Sequence, residues 1–162
     1  MNTRKYDVRK YVHKFRNALV RAAELESHRL YSFGRWNELN SFPYGSCDIA
    51  SNFLSAYLKQ KGIESKVIWC KNELSKYRDI KSHVWLEIYD HFIDITISQF
   101  PKYCLDRIYI CEKASPSILS EIYRSCYKLG GHNYQEREIE INTRIESGYQ
   151  LFQEIVKMAD AD

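Results

Sequence analysis

The 162-residue chain has only six glycines and three prolines, and no run of apolar residues approaches the roughly 20 that a membrane-spanning helix needs. A collagen-like or low-complexity chain and a membrane span are therefore not expected, and 44% hydrophobic residues with 13 Tyr argue for a packed core. The five cysteines, Cys47, Cys70, Cys104, Cys111 and Cys126, are odd in number and contain no C-x-x-C pair. Neither a disulfide framework nor a zinc site is indicated, and no metal or cofactor is expected. Met1 to Arg16 is charged and lacks a following apolar segment, so nothing directs secretion and a reducing cytoplasm fits best. The length suits one domain, 1–162.

Excess charge is also scarce: +3 overall, too little to imply nucleic acid. Its distribution is uneven. Residues 1–30 carry eight Lys/Arg against three acids, whereas residues 134–162 carry three against seven. Mutual attraction of two terminal helices is preferred over a basic surface for an acidic partner. Val8, Tyr11, Val12, Phe15, Leu19, Ala22 and Ala23 hold helical spacing within a stretch from Arg4 to about Leu30. Its basic face lacks the aromatic interleaving of an RNA site and the broad apolar face of a membrane helix, so neither nucleic acid nor membrane is an expected partner.

Residues 31–46 have no period and read as a loop. The helix that follows organises the rest of the reading. Ser46 is a candidate N-cap, Asp48 complements the helix dipole, and Gly62 after Lys59 and Lys61 marks the stop, with Ile63 folding back. Cys47, Ala50, Phe53, Leu54, Tyr57 and Leu58 share one face, so a thiol heads the apolar stripe. A helix N-terminus favours the thiolate, the nucleophilic form. A lone cysteine on such a face is nonetheless commonly a small core residue, so its partners decide.

After Gly62 the period changes to two. Residues 66–70 and 107–111 read as strands, and 82–88 with 92–97 as a β-hairpin. Residues 116–129 read as a helix ended by Gly130-Gly131, and 139–159 as a last helix with Ile141, Ile145, Tyr149, Phe152 and Val156 inward. The class is α+β, a helix headed by Cys47 on a small antiparallel sheet with flanking terminal helices.

Two hairpin registers are open. A Tyr89-Asp90 turn sets Trp85 opposite Asp94, with His83 and Asp94 as diagonal neighbours on one face, roughly 7 to 8 Å apart at Cα. An Asp90-His91 turn sets Glu87 opposite Asp94 and moves it away from His83. The first register permits chemistry: on the face packed against the Cys47 helix, Cys47 attacks, His83 takes and returns the proton, and Asp94 orients the imidazole. His13, His28, His91 and His132 occupy ordinary surface places by comparison.

Three blocks, Gly45-Ser46-Cys47-Asp48-Ile49-Ala50-Ser51, Ser82-His83-Val84-Trp85-Leu86-Glu87-Ile88 and Ile93-Asp94-Ile95-Thr96, together resemble the motifs of the transglutaminase-like superfamily of papain-fold cysteine enzymes. The resemblance covers about residues 42–100, and its specific parts are the His-x-Trp-x-Glu and Asp-x-Thr patterns. It departs at Ile95, where many members have Pro. What it implies is a papain-like core, a Cys47-His83-Asp94 triad, and acyl transfer from an amide of a protein or peptide through a thioester. Hydrolysis by water is ranked ahead of transfer to an amine. Asn40 is the candidate oxyanion side chain beside the Cys47 backbone N–H, and Tyr44 and Trp85 are candidate substrate-binding residues, with Trp36 and Trp69 as further cleft aromatics. The rival is a catalytically inactive module of this fold that binds a protein partner.

Overall fold

The computed structural model describes residues 2–137, 141 and 148–162. Six helices and five strands form an α+β arrangement: α1 (Asn2–Glu24), α2 (Ser27–Leu30), α3 (Trp36–Leu39), α4 (Cys47–Gln60), β1 (Lys66–Lys71), β2 (Ser82–Ile88), β3 (His91–Asp94), β4 (Tyr109–Glu112), α5 (Ile118–Leu129), β5 (Tyr134–Arg137) and α6 (Tyr149–Ala161). The strands make one antiparallel sheet in the order β4-β3-β2-β1-β5. No described helix is long and apolar enough to cross a membrane.

Side-chain alternation divides the sheet into two apolar faces. Val67, Val84, Leu86, Ile88 and Ile93 join the core built by α1, α4 and α6. Ile68, Cys70, Trp85 and Phe92 instead join Leu119, Ile122 and Cys126 of α5. Each fully buried Phe or Leu of α4, such as Phe53, Leu54 and Leu58, contributes about 1.5–3 kcal/mol relative to exposure. At the end of α4 the Ile63 N–H reaches Leu58 O (2.9 Å) and the Gly62 N–H reaches Lys59 O (3.0 Å). Gly62 adopts φ +76° and Ile63 is buried, so this is the expected glycine stop.

The hairpin takes the register with Tyr89-Asp90 at its turn: Ile88 faces His91 and Leu86 faces Ile93. Both turn residues have positive φ, the twist that two-residue hairpins prefer. The oppositely charged termini meet as α1 and α6, with Arg21 within 3.5 Å of Asp162.

Several elements differ from the sequence reading. The first helix stops at Glu24, and a turn at Leu25–Glu26 precedes α2, whose Leu30 is buried. Within the loop 31–46, Trp36–Leu39 form the short α3. The second hairpin strand ends at Asp94 rather than residue 97, since the Asp94 carboxylate takes the Thr96 N–H (2.8 Å) and hydroxyl (3.1 Å) and turns the backbone into a 3₁₀ turn at Ile97–Gln99. Strand β5 was not legible, because Tyr-Gln-Glu-Arg has no apolar alternation and gains its structure by pairing with β1. The last helix begins at Tyr149, with Leu151, Phe152, Ile155, Met158 and Ala159 buried. Val156 and Tyr149 are half-buried, and the inward position expected for Ile145 lies outside the described residues.

Candidate active site

Helix α4 brings Cys47 to one end of β2. Ser51, one turn further on, donates its hydroxyl to Val84 O (3.1 Å), which sets the thiol level with His83, the preceding residue of the strand. Cys47 is half-buried. The first backbone hydrogen bond of α4 runs from the Ala50 N–H to Ser46 O (2.9 Å), so the Cys47 N–H precedes the helical ladder, and it takes no partner among the described residues. Ser46 does not cap the helix as expected: its hydroxyl donates to Tyr44 O (3.2 Å). Asp48, in the first turn, is held by Arg137 Nη1 (2.5 Å), and the Arg137 guanidinium lies over the Trp69 ring (5.4 Å). Edge strand β5 is thereby tied to the start of the nucleophile helix.

His83 and Asp94 are both enclosed, at 0% and 1% exposure, and His83 Nε2 lies 2.5 Å from Asp94 Oδ2. The ring packs against Phe100 (5.2 Å) and Trp85 (5.9 Å). Nδ1, the other nitrogen, is buried without a hydrogen bond of good geometry. Burial alone pushes the imidazole pKa down, but the charge and hydrogen bond of Asp94, joined by the nearby Cys47 thiol, raise it to about 10. Asp94 is therefore the partner that keeps a fully buried imidazole cationic at neutral pH.

The sheet face differs from the expectation. His83 and Asp94 alternate with Val84 and Ile93, so they share the α5 face with Trp85 and Phe92, not the face beneath the body of α4. His83 nevertheless lies close to Cys47, whose thiol bears on the imidazole from the first residue of α4.

The remaining candidates scatter. Trp85 is 0% exposed and packs edge-on against Phe92 (5.6 Å), so it forms core beneath α5 and offers no surface to a substrate. Asn40 is exposed, and its side-chain oxygen accepts from the Ser41 hydroxyl (3.2 Å); no hydrogen bond joins it to Cys47 or His83 among the described residues. Tyr44 is 59% exposed beside the nucleophile turn. Trp36 is buried and Trp69 is half-buried under Arg137.

Sequence reasoning missed Phe100 and Gln99, and it noted Thr96 only as part of the Asp-x-Thr pattern. Thr96 fixes Asp94 Oδ1, Phe100 supports the imidazole, and Gln99 spans from Thr96 O (3.1 Å) to the Gly45 N–H (3.3 Å). All lie on the turn that replaces the expected end of the strand. Arg16 of α1 is also buried: its Nε donates to Ile95 O (3.0 Å) and its guanidinium covers the Phe42 ring (5.2 Å). Burial and the nearby Arg107 lower its pKa to about 10, while the Asp94 charge opposes them.

Among the described residues no group of three or more His, Cys, Asp or Glu is placed to hold a metal ion. Compared with known proteins, the chain matches no family model, no curated protein and no solved structure.

Proposed function

We propose that the chain is a cysteine-dependent acyl-transfer enzyme acting on amide bonds, with a papain-like core of the transglutaminase-like type. One observation carries this reading. A completely buried imidazole holds a carboxylate through one nitrogen and leaves the other without a hydrogen-bond partner beside a half-exposed thiol at a helix N-terminus. A core histidine would have both nitrogens satisfied.

The reaction begins when Cys47 Sγ, as the thiolate paired with the His83 imidazolium, attacks the amide carbonyl carbon. Asp94 holds Nε2–H and stabilises the imidazolium. The carbonyl electrons move to oxygen, and the unpaired Cys47 N–H is a donor available to that oxyanion. Collapse re-forms the carbonyl, breaks the C–N bond and returns the proton from His83 to the departing amine, leaving a thioester on Cys47. Water attacks next, His83 accepts its proton, and the acid leaves as the thiolate–imidazolium pair is restored. A primary amine in place of water would give transfer. The substrate class is a protein or peptide, and hydrolysis ranks first because water is always present.

The test is limited iodoacetamide labelling with mass-spectrometric site assignment, followed by turnover of amide substrates with and without added amine. Cys47 is expected to label first. Cys70 and Cys126 are buried, and burial pushes the thiols of Cys104 and Cys111 up. His83→Gln keeps a donor for Asp94 but loses the cation, and should slow Cys47 labelling at least about tenfold. Faster labelling of another cysteine, or an unchanged Cys47 rate in His83→Gln, would favour the inactive, partner-binding module.

A further inference from the structure

The hydrogen bonds around the triad link His83 to the turn before Cys47 in a circuit left open between thiol and imidazole. Asp94 Oδ2 meets His83, Asp94 Oδ1 accepts from the Thr96 N–H and hydroxyl, Gln99 Nε2 donates to Thr96 O, and Gln99 Oε1 accepts from the Gly45 N–H, two residues before Cys47. The partners fix which end of the amide is which, because a backbone N–H must meet oxygen and a carbonyl must meet NH₂. Gly45 adopts φ +66°, so the turn before the nucleophile is held in a left-handed conformation, and its N–H is bonded by this one side chain among the described residues.

From this circuit we infer that Gln99 is a positioning residue for the acyl-transfer reaction. It straps the Gly45-Ser46-Cys47 turn to the strand end that carries Asp94, and so sets where the Cys47 N–H points. The inference rests on the acyl-transfer reading above and adds a residue that touches neither the thiol nor the imidazole. Its consequence is selective. A thiolate attacking a carbonyl generates an oxyanion that the Cys47 N–H must meet, whereas alkylation by iodoacetamide displaces iodide and generates none. Loosening the turn should therefore harm acylation far more than alkylation.

The experiment uses p-nitrophenyl acetate and iodoacetamide as paired probes on the full chain. In the first, the Cys47 thiolate forms the Sγ–C bond, the C–O bond to nitrophenolate breaks, and water later releases acetate from the thioester, its two protons passing to solvent. Gln99→Ala removes the strap, and Gln99→Met removes both hydrogen bonds while keeping most of the volume, with thermal melts confirming that each folds. The Cys47→Ala background is subtracted. The ratio of acylation to alkylation rate at Cys47 is expected to fall about tenfold in both variants, with the alkylation rate within about threefold of the parent, since displacing one oxyanion donor forfeits part of its roughly 10²–10³ contribution. Equal losses in both rates, or an unchanged ratio, would overturn the assignment and leave Gln99 as a loop staple. A parent chain in which Cys47 reacts no faster than Cys104 with either probe would instead refute the acyl-transfer reading, and this inference falls with it.

Discussion

Asp94→Asn separates the two jobs of the carboxylate. In the parent chain Asp94 accepts from three donors: His83 Nε2–H at 2.5 Å, the Thr96 N–H at 2.8 Å and the Thr96 hydroxyl at 3.1 Å. Asparagine offers one oxygen and an NH₂ group: with the oxygen on Thr96 the NH₂ can donate only to a neutral imidazole held in its Nδ1–H tautomer, and the flipped amide sets NH₂ against the Thr96 N–H, so about 1–3 kcal/mol is lost. The second loss is electrostatic. Without the negative charge, burial pushes the His83 pKa down from about 10 against the contribution of Cys47 alone. The interval between 6.5 and about 10 corresponds to on the order of 5 kcal/mol as an upper bound, at 1.36 kcal/mol per pKa unit. Because the folded pKa is raised, this stability is fully present below pH 6.5 and is lost as pH rises through about 10. Urea unfolding of both chains at pH 6.5, 8, 9.5 and 10.5 should show a gap that is widest at pH 6.5 and narrows toward the hydrogen-bond cost at pH 10.5. Other titrating groups contribute to both curves and cancel in the difference. A gap that stays constant across this range would mean that His83 is neutral in the fold, and the charged-pair account would be wrong. In the same variant Cys47 should still alkylate measurably, since asparagine can orient the ring, though more slowly than in the parent.

Two further substitutions address the scaffold. Gly148→Ala forces a side chain into φ +75° and sets its Cβ 3.1 Å from Arg35 Cδ and from Phe53 Cζ, so stability should drop by about 2 kcal/mol; a urea midpoint within error of the parent would contradict the crowding. Arg16→Met keeps the apolar stem over Phe42 but strands the Ile95 carbonyl, so a loss of about 1–3 kcal/mol is expected by the same measurement, with slower Cys47 alkylation if the backbone after Asp94 shifts; a stability equal to the parent would show that the carbonyl finds another donor.

What could be read from residue order alone follows from the range of the forces involved. Helices α1, α4 and α5 were legible because their apolar residues recur every three or four positions and glycine ends two of them, both local signals. The alternation of 82–88 and 92–97 made the hairpin legible but left two registers open, of which the structure takes the one with Tyr89-Asp90 at its turn. Strand β5 escaped because its stability comes from pairing with β1, more than sixty residues away in sequence, and its own residues carry no pattern. The choice of sheet face for His83 failed for a related reason. Both faces of β2 are buried, Val84 and Leu86 under α4 and Trp85 under α5, so burial pattern alone does not tell which helix covers which face.

The same distinction orders the candidate site. Cys47, His83 and Asp94 could be nominated because each carries a chemistry that few residue types supply, and spacing places Cys47 at the head of a helix, His83 near the start of one hairpin strand and Asp94 on the other. Gln99 and Arg16 could not be, since Gln and Arg are unremarkable in a polar loop or on a charged helix, and what singles them out here is a geometric fact. Thr96 turns the chain off the sheet at Asp94, and that turn brings Gln99 back to Gly45 and Phe100 onto the imidazole. Trp85 shows the converse, a residue of conspicuous type in a conspicuous block whose indole is sealed in the core with its N–H unpaired. Residue type thus points to the atoms that could exchange protons and bonds, while the groups that hold those atoms in place are recovered by following each hydrogen bond to its far end.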